Sequence, residues 1–486
     1  MGIPSGRGDH LCVLIHGLWG NPGHLEYLTT AIRQRYDDSK LHILVVKRNS
    51  GTFTYDGIEL GGERVTREIE DTIEDYARNG VEIRKISIVG YSLGGLVARY
   101  TVGLLYSKGY FDRVRPVNFC TFVTPHLGVR TPLLGWHNHI WNVIGARLLS
   151  ASGRQLFAID KFRNTGRPLL SVLADKDSVF FKGLERFQNK VLYANVINDR
   201  ATCYYTAGVS RFDPYVDLSD VSLNYLPGYS PIILDPDSPI SAAAKEEENE
   251  KLPVAHRISR TTGMAMRFPM VLTYVIVIPI GVIVFLLNSL IQTVFSKRRI
   301  WLHSSDRLGY HRLPLLVEEM QEAAEGLIED IHHEMIPQHL TAVSEESAGE
   351  SLVNAITPRA TVTSEKGVED SSVLITLAGG TSPQAGGISS DPSAPPPPKS
   401  TPAPRPVVEQ FPLQMQGKLE FPTLALSHQQ FEMIANIEKL GFRKYPVFIH
   451  NDRHSHAAII VRKPWVKRWD EGKVVVAHWL DKAFIV

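Results

Sequence analysis

Cysteine is almost missing from this chain. Cys12, Cys120 and Cys203 are its three cysteines in 486 residues, too few and too scattered for a disulfide framework. Cys12 and Cys120 lie within apolar runs and read as small core hydrophobes. A charge excess is missing too: 52 Lys and Arg face 51 Asp and Glu, a formal net charge of +1. No basic field argues for a nucleic-acid partner. Residues 1–10 are polar and the first apolar run is short, so no secretory leader is expected and the folded part is expected in the reducing cytosol. There is no internal repeat. His454 and His456 could chelate a metal, but no Cys or carboxylate cluster completes a ligand set, and no cofactor is expected.

What the chain does contain starts with Gly90-Tyr91-Ser92-Leu93-Gly94, a G-x-S-x-G pattern after the apolar run Ile86–Val89 and before a helix-like stretch from Leu96 to Tyr106. A serine at a tight strand-to-helix turn has its hydroxyl pushed out above a sheet, with small residues letting strand and helix approach. The helix N-terminus puts backbone N–H groups where an oxyanion could develop. Upstream, the apolar run Leu11–Ile15 reads as a strand buried on both faces. It ends in His16-Gly17-Leu18-Trp19-Gly20. In α/β-hydrolases such a His-Gly turn supplies a second oxyanion donor. The amides of Leu18 and Leu93 are the candidate oxyanion hole, and His16 reads as a brace of the turn rather than a base.

An acid and then a histidine should follow. The apolar stretch from Lys190 to Ile197 ends in Asn198-Asp199-Arg200, which makes Asp199 the candidate acid; Asp213 and Asp217 are rivals in the next loop. A carboxylate there would hold the histidine tautomer and stabilise the imidazolium. Beyond a strand candidate at Tyr445–Ile449 come His450, His454 and His456. His456, directly before the apolar run Ala457–Val461, is the candidate general base, with His454 second.

These segments, together with Thr124-Pro125-His126-Leu127-Gly128 and Ser455-His456-Ala457-Ala458-Ile459-Ile460-Val461, resemble the fungal serine esterases of the DUF676 lipase-like family, with the yeast lipid-droplet phospholipase group as the nearest likeness. The resemblance covers about residues 9–215 well and 425–480 more loosely. It implies an α/β-hydrolase fold, hydrolysis of lipid esters, and Ser92, Asp199 and His456 as the catalytic triad. The acid loop departs from the expected Thr-Val-Pro and reads Ala201-Thr202-Cys203, which bears on loop shape rather than on the carboxylate. A thioesterase or acyltransferase would use the same triad. A non-catalytic membrane adaptor would be marked by a lost serine or histidine, and neither is lost.

Strand candidates at Leu11–Ile15, Leu41–Val46, Ile86–Val89, Val117–Val123, Val191–Ile197 and Tyr445–Ile449 alternate with helical patterns such as Gly62–Arg78. This predicts a mostly parallel sheet flanked by helices, with the chemistry at the strands' C-terminal ends. His126 there reads as structural. Residues 1–217 form the N-terminal part of the hydrolase, 218–340 an insertion, 341–408 a Ser-, Pro- and Gly-rich disordered linker, and 409–486 the C-terminal part with the histidine.

Phe268 to Ser296 contains no charged residue, long enough to be a membrane candidate. A single crossing would leave Ser92 and Asp199 on one side and His456 on the other. A triad needs contact at about 3 Å, so the two assignments exclude each other. Pro279-Ile280-Gly281 lies near the middle and can break a helix. Arg257, Arg260 and Arg267 flank the stretch on one side and Lys297, Arg298 and Arg299 on the other. The expectation is a hairpin over 268–296 entering one leaflet, with both flanks cytosolic. It would hold the enzyme on an endoplasmic-reticulum or droplet surface beside a lipid substrate. Residues 315–335 read as an amphipathic helix packed on the body, with a lid over the site as the alternative. Protein partners are not indicated.

Overall fold

The computed structural model describes residues 8–129, 150–199, 201–216, 218, 221–242, 287–302, 424 and 426–486. The residues 268–286 of the uncharged stretch, the helix expected at 315–335 and the linker expected at 341–408 lie outside them.

Six strands form one parallel sheet: β1 (His10–Ile15), β2 (His42–Val45), β3 (Lys85–Tyr91), β4 (Arg115–Phe122), β5 (Asn189–Asn195) and β8 (Arg443–Val447). Their order across the sheet is β2-β1-β3-β4-β5-β8, and every pairing is parallel. The continuous apolar runs follow from burial on both faces. In β1, Leu11, Val13 and Ile15 enter one core, while Cys12 and Leu14 enter the other. Leu11, Val13 and Leu14 are fully buried, each contributing about 1.5–3 kcal/mol. This is the α/β-hydrolase architecture that the motifs imply.

The first core is covered by α2 (Ile58–Arg78), α3 (Leu93–Ser107), α5 (Leu169–Ala174), α6 (Val179–Glu185) and α8 (His428–Glu438). The second is covered by α1 (Glu26–Arg35) and α10 (Asp470–His478). Between them in sequence, α4 (Ser150–Leu156) packs on the 3-10 segment Gly51–Asp56. α9 (Ser455–Ala458) is a single helical turn. Sequence reading ends the apolar run 457–461 without assigning it an element; the turn forms because the His454 and Ser455 carbonyls accept from Ala458 and Ile459.

The free edge of β8 is not bare. Residues 221–242 fold back as a hairpin, β6 (Val221–Leu223) with β7 (Ile240–Ala242). Between these strands Leu234 donates to the Pro446 carbonyl and Phe448 to that of Ile232. Edge coverage of this kind keeps strand polar groups from pairing with another chain.

Residues 287–302 form α7. Its first ten residues are the end of the uncharged stretch. The helix lies against the body, with Ser289, Ser296 and, beyond the uncharged stretch, Arg299 buried. Among the described residues no helix is long and apolar enough to cross a membrane.

Candidate active site

Four of the sheet's strands end at one place. The loop after β1 carries residues 16–20, that after β3 Ser92, that after β5 Asp199 and that after β8 His456. A parallel sheet gathers its carboxyl-end loops on one edge, so residues far apart in sequence meet there.

Ser92 caps α3 at φ 54°, ψ −129°, a conformation that costs a non-glycine residue about 1–3 kcal/mol and persists only where its surroundings impose it. The surroundings do so. A Cβ on Gly90 would lie 2.4 Å from the Gly95 Cα, and one on Gly94 2.3 Å from the Ile15 carbonyl oxygen. The Ser92 N–H donates to the Phe122 carbonyl at 2.9 Å, and Thr124 Oγ1 donates to the Ser92 carbonyl at 3.0 Å.

The Ser92 hydroxyl meets His456 Nε2 at 3.0 Å. On its other side, His456 Nδ1 lies 2.9 Å from Asp199 Oδ2 and 3.1 Å from Oδ1. Asp199 is buried and held by two further donors, Asn195 Nδ2 at 3.0 Å and the Thr202 N–H at 2.8 Å. The unusual Ala201-Thr202-Cys203 sequence therefore still wraps the carboxylate. The imidazole is fixed from behind: Tyr91 Oη donates to the His456 carbonyl at 3.1 Å, and the two rings lie 5.3 Å apart. Ser455 Oγ donates to the Ile197 carbonyl, tying α9 to the end of β5.

The rivals go elsewhere. Asp213 is half-buried, and desolvation pushes its carboxyl up to about 6; it accepts from the Tyr215 N–H. Asp217 lies outside the described residues. His450 Nδ1 pairs with Glu471. The His454 N–H donates to Asp452, and the Ser92 hydroxyl faces His456, not His454. His126 is fully enclosed, with Nε2 on Thr121 Oγ1 and its basicity well below normal because of burial.

Opposite the serine runs the loop 16–20. A Cβ on Gly17 would lie 2.8 Å from the Ser92 Cβ, so this backbone passes directly beside Ser92. Among the described residues the N–H groups of Leu18 and Leu93 have no hydrogen-bond acceptor. His16 is enclosed and contacts the Gly17 carbonyl and Ser50 Oγ; burial lowers it to about 4, so it is a neutral brace at pH 7. Trp19, at φ 54°, donates its N–H to Thr54 Oγ1 at 2.9 Å. Thr54 in turn donates to Gly51, whose N–H donates to Gly20.

Tyr91, Thr124, Asn195 and Thr54 were not assigned roles from sequence. Tyr91 and Thr124 sit inside quoted motifs. Asn195, one strand turn before the acid, and Thr54 carry no sequence signal at all. Chemically, the set provides a nucleophile, a base aligned on it, an anion behind the base, and donors opposite.

Residues 5–211 match the family described as "Putative serine esterase (DUF676)", as the motif resemblance implies. The chain is 30% identical over 239 residues to "Putative lipase ROG1" of Saccharomyces cerevisiae, covering 48% of this chain and 33% of that protein. It is 29% identical over 211 residues to a protein also named a putative lipase from Schizosaccharomyces pombe, covering 42% of this chain and 26% of that one. The chain thus spans no more than about a third of the length of these relatives. Among solved structures, "RedJ with PEG molecule bound in the active site" is 17% identical over 43% of this chain and 79% of its own, with a TM-score of 0.23, too low to weigh.

Proposed function

We propose that this protein is a serine esterase that hydrolyses acyl esters of membrane or droplet lipids through Ser92, His456 and Asp199. The observation that carries the reading is the unbroken line of contacts from Ser92 Oγ through the imidazole to Asp199. His456 Nε2 takes the serine proton as Oγ attacks the ester carbonyl. Asp199 holds the Nδ1–H and stabilises the imidazolium. The amides of Leu18 and Leu93 receive the oxyanion, a contribution of about 3–4 kcal/mol per donor in comparable sites. The leaving alcohol takes the proton from Nε2, and water then cleaves the acyl-enzyme by the same route.

A lipid substrate is supported by the likeness to lipases and by the uncharged stretch 268–296. Phospholipid is the preferred class, with neutral glyceride next. The His456–Ser92 contact requires both ends of the insertion to lie on one side of a membrane, which favours an anchor that dips and returns over one that crosses. The catalytic body then faces the cytosol at an endoplasmic-reticulum or droplet surface. Treatment with a fluorophosphonate probe tests the chemistry. Wild type is expected to be labelled and Ser92→Ala not, with phospholipid hydrolysis lost in the same variant; full labelling or hydrolysis by Ser92→Ala would remove the reading.

A further inference from the structure

α7 is amphipathic in the wrong sense for a helix packed on a soluble body. Its buried side is polar: Ser289, Ser296 and Arg299. Its exposed side carries Leu287, Leu290, Ile291 and Val294, with Leu290 62% exposed. These fall at spacings of three and four, one continuous stripe along the helix. The stripe goes on through Lys297 and Arg298, also exposed, to Trp301. An apolar stripe of this kind facing water normally marks an interaction surface.

The helix is fixed in orientation, so the stripe has a fixed direction. Ser296 Oγ lies 3.0 Å from Ser150 Oγ and donates to the Tyr55 carbonyl. Arg299 holds both oxygens of the buried Asp56, at 2.8 Å through Nε and 2.7 Å through Nη2, and Nη2 also donates to the Thr52 carbonyl. Rotating α7 to hide its leucines would drag a guanidinium off a buried carboxylate.

We infer that the exposed stripe of α7 docks in the headgroup region of a lipid surface, with the helix lying along that surface. Three observations select lipid as the occupant. The chain directly upstream, residues 268–286, is uncharged, so the stripe continues a segment already suited to hydrocarbon. Residues 287–302 contain no acidic side chain. The two cations on the exposed stripe lie at its C-terminal end, where they would meet anionic headgroups. The inference rests on the lipid-surface reading but goes further: α7 is a lipid-facing plate mounted on the enzyme, not the second arm of an inserted hairpin.

An environment-sensitive NBD fluorophore on Leu290→Cys and on Val294→Cys of the full chain tests this. Glu82→Cys, at the opposite edge of the sheet, is the control position, and the labelled parent chain is the blank. On vesicles of phosphatidylcholine and phosphatidylserine, a blue shift with a severalfold rise in emission is expected at 290 and 294 and not at 82. Lys297→Gln with Arg298→Gln should weaken binding to those vesicles about 25-fold, at about fivefold per basic side chain. No change at 290 and 294 on vesicles would overturn the inference. A blue shift already present without vesicles would overturn it too, whether from another segment of the chain or, if it depends on protein concentration, from a second copy. Fluorophosphonate labelling of Ser92 is read separately, so a failed helix and a failed esterase give different results.

Discussion

His456 Nε2 and Ser92 Oγ lie 3.0 Å apart although they stand 364 positions apart in the chain. If that contact is the proton path, the three side chains act as one unit, and their losses do not add. Asp199→Asn is expected to lower turnover of a soluble short-chain ester by about 10⁴-fold, through the wrong histidine tautomer. Ser92→Ala with His456→Ala should be no worse than either alone. His454→Ala should keep most of the activity. Steady-state kcat on the purified variants, the two single ones included, checks all three expectations.

Two glycines should respond very differently to the same methyl group. A Cβ on Gly94 would stand 2.3 Å from the Ile15 carbonyl oxygen and 2.5 Å from that of His16. Both are backbone atoms, of β1 and of the loop 16–20, and cannot swing away. Gly94→Ala is expected to cost about 3 kcal/mol, the upper end of overpacking, and to abolish activity. Gly80 has φ +74° and open space around it, so Gly80→Ala should cost only about 1–2 kcal/mol of backbone strain and leave activity intact. Urea midpoints with ester assays separate the two.

Asp56 is shared by two arginines. Besides Arg299, Arg64 Nη2 donates to its Oδ2 at 2.5 Å, and both guanidinium groups lie over the Phe53 ring. Asp56→Ala would leave two buried cations uncompensated and is expected to destabilise by about 3–5 kcal/mol. Arg299→Ala should cost less, since Asp56 keeps Arg64. Both should loosen the segment whose Thr54 braces Trp19. Thermal melts are expected to rank Asp56→Ala below Arg299→Ala, with ester turnover reduced in both.

Acid should unfold this protein partly through its histidines. Burial lowers His10, His16 and His478 each to about 4, whereas an unfolded histidine titrates near pH 6.5. Below about pH 6.5 the unfolded chain therefore binds more protons, so stability rises with pH between about 4 and 6.5 and falls as pH drops through that window. Tm is expected to decline from about pH 6.5 toward 4. His16→Asn should remove one proton from the uptake on unfolding at pH 5, read by calorimetry in buffers of different ionisation heat.

Thiol reactivity should single out one cysteine. Burial pushes Cys12 up to about 12 and Cys120 well above the ordinary thiol range; Cys203 is partly exposed. The native chain is expected to react with iodoacetamide at Cys203 alone, by peptide mass mapping, and at all three after denaturation.

The sheet was legible because its inner strands are buried on both faces and carry largely apolar runs, most clearly in β1; observed ends differ from the expected ones by one or two residues, as at Lys85–Tyr91 against 86–89. The meeting of Ser92, Asp199 and His456 was legible because their order follows the order in which the loops reach one edge. Thr54 and Asp56 were not, since their task is to hold a distant loop and no local pattern encodes that. α7 misleads a reading by hydrophobicity for a definite reason. Its leucines suggest insertion, but its docking is decided by two serines and an arginine on the other side.

β8 has a further consequence. It joins the six-stranded sheet through β5, and the loop after it carries His456, whereas Ser92, Asp199 and the Thr202 N–H all lie before residue 203. The site is thus assembled from two polypeptide stretches held together by the β5–β8 pairing, the hydrogen bonds of residues 221–242 to β8 and the helices around them. A protease cut between them need not separate His456 from Ser92. Residues 1–302 and 424–486, produced as separate chains in one cell, are expected to find each other and recover fluorophosphonate labelling that neither piece gives alone.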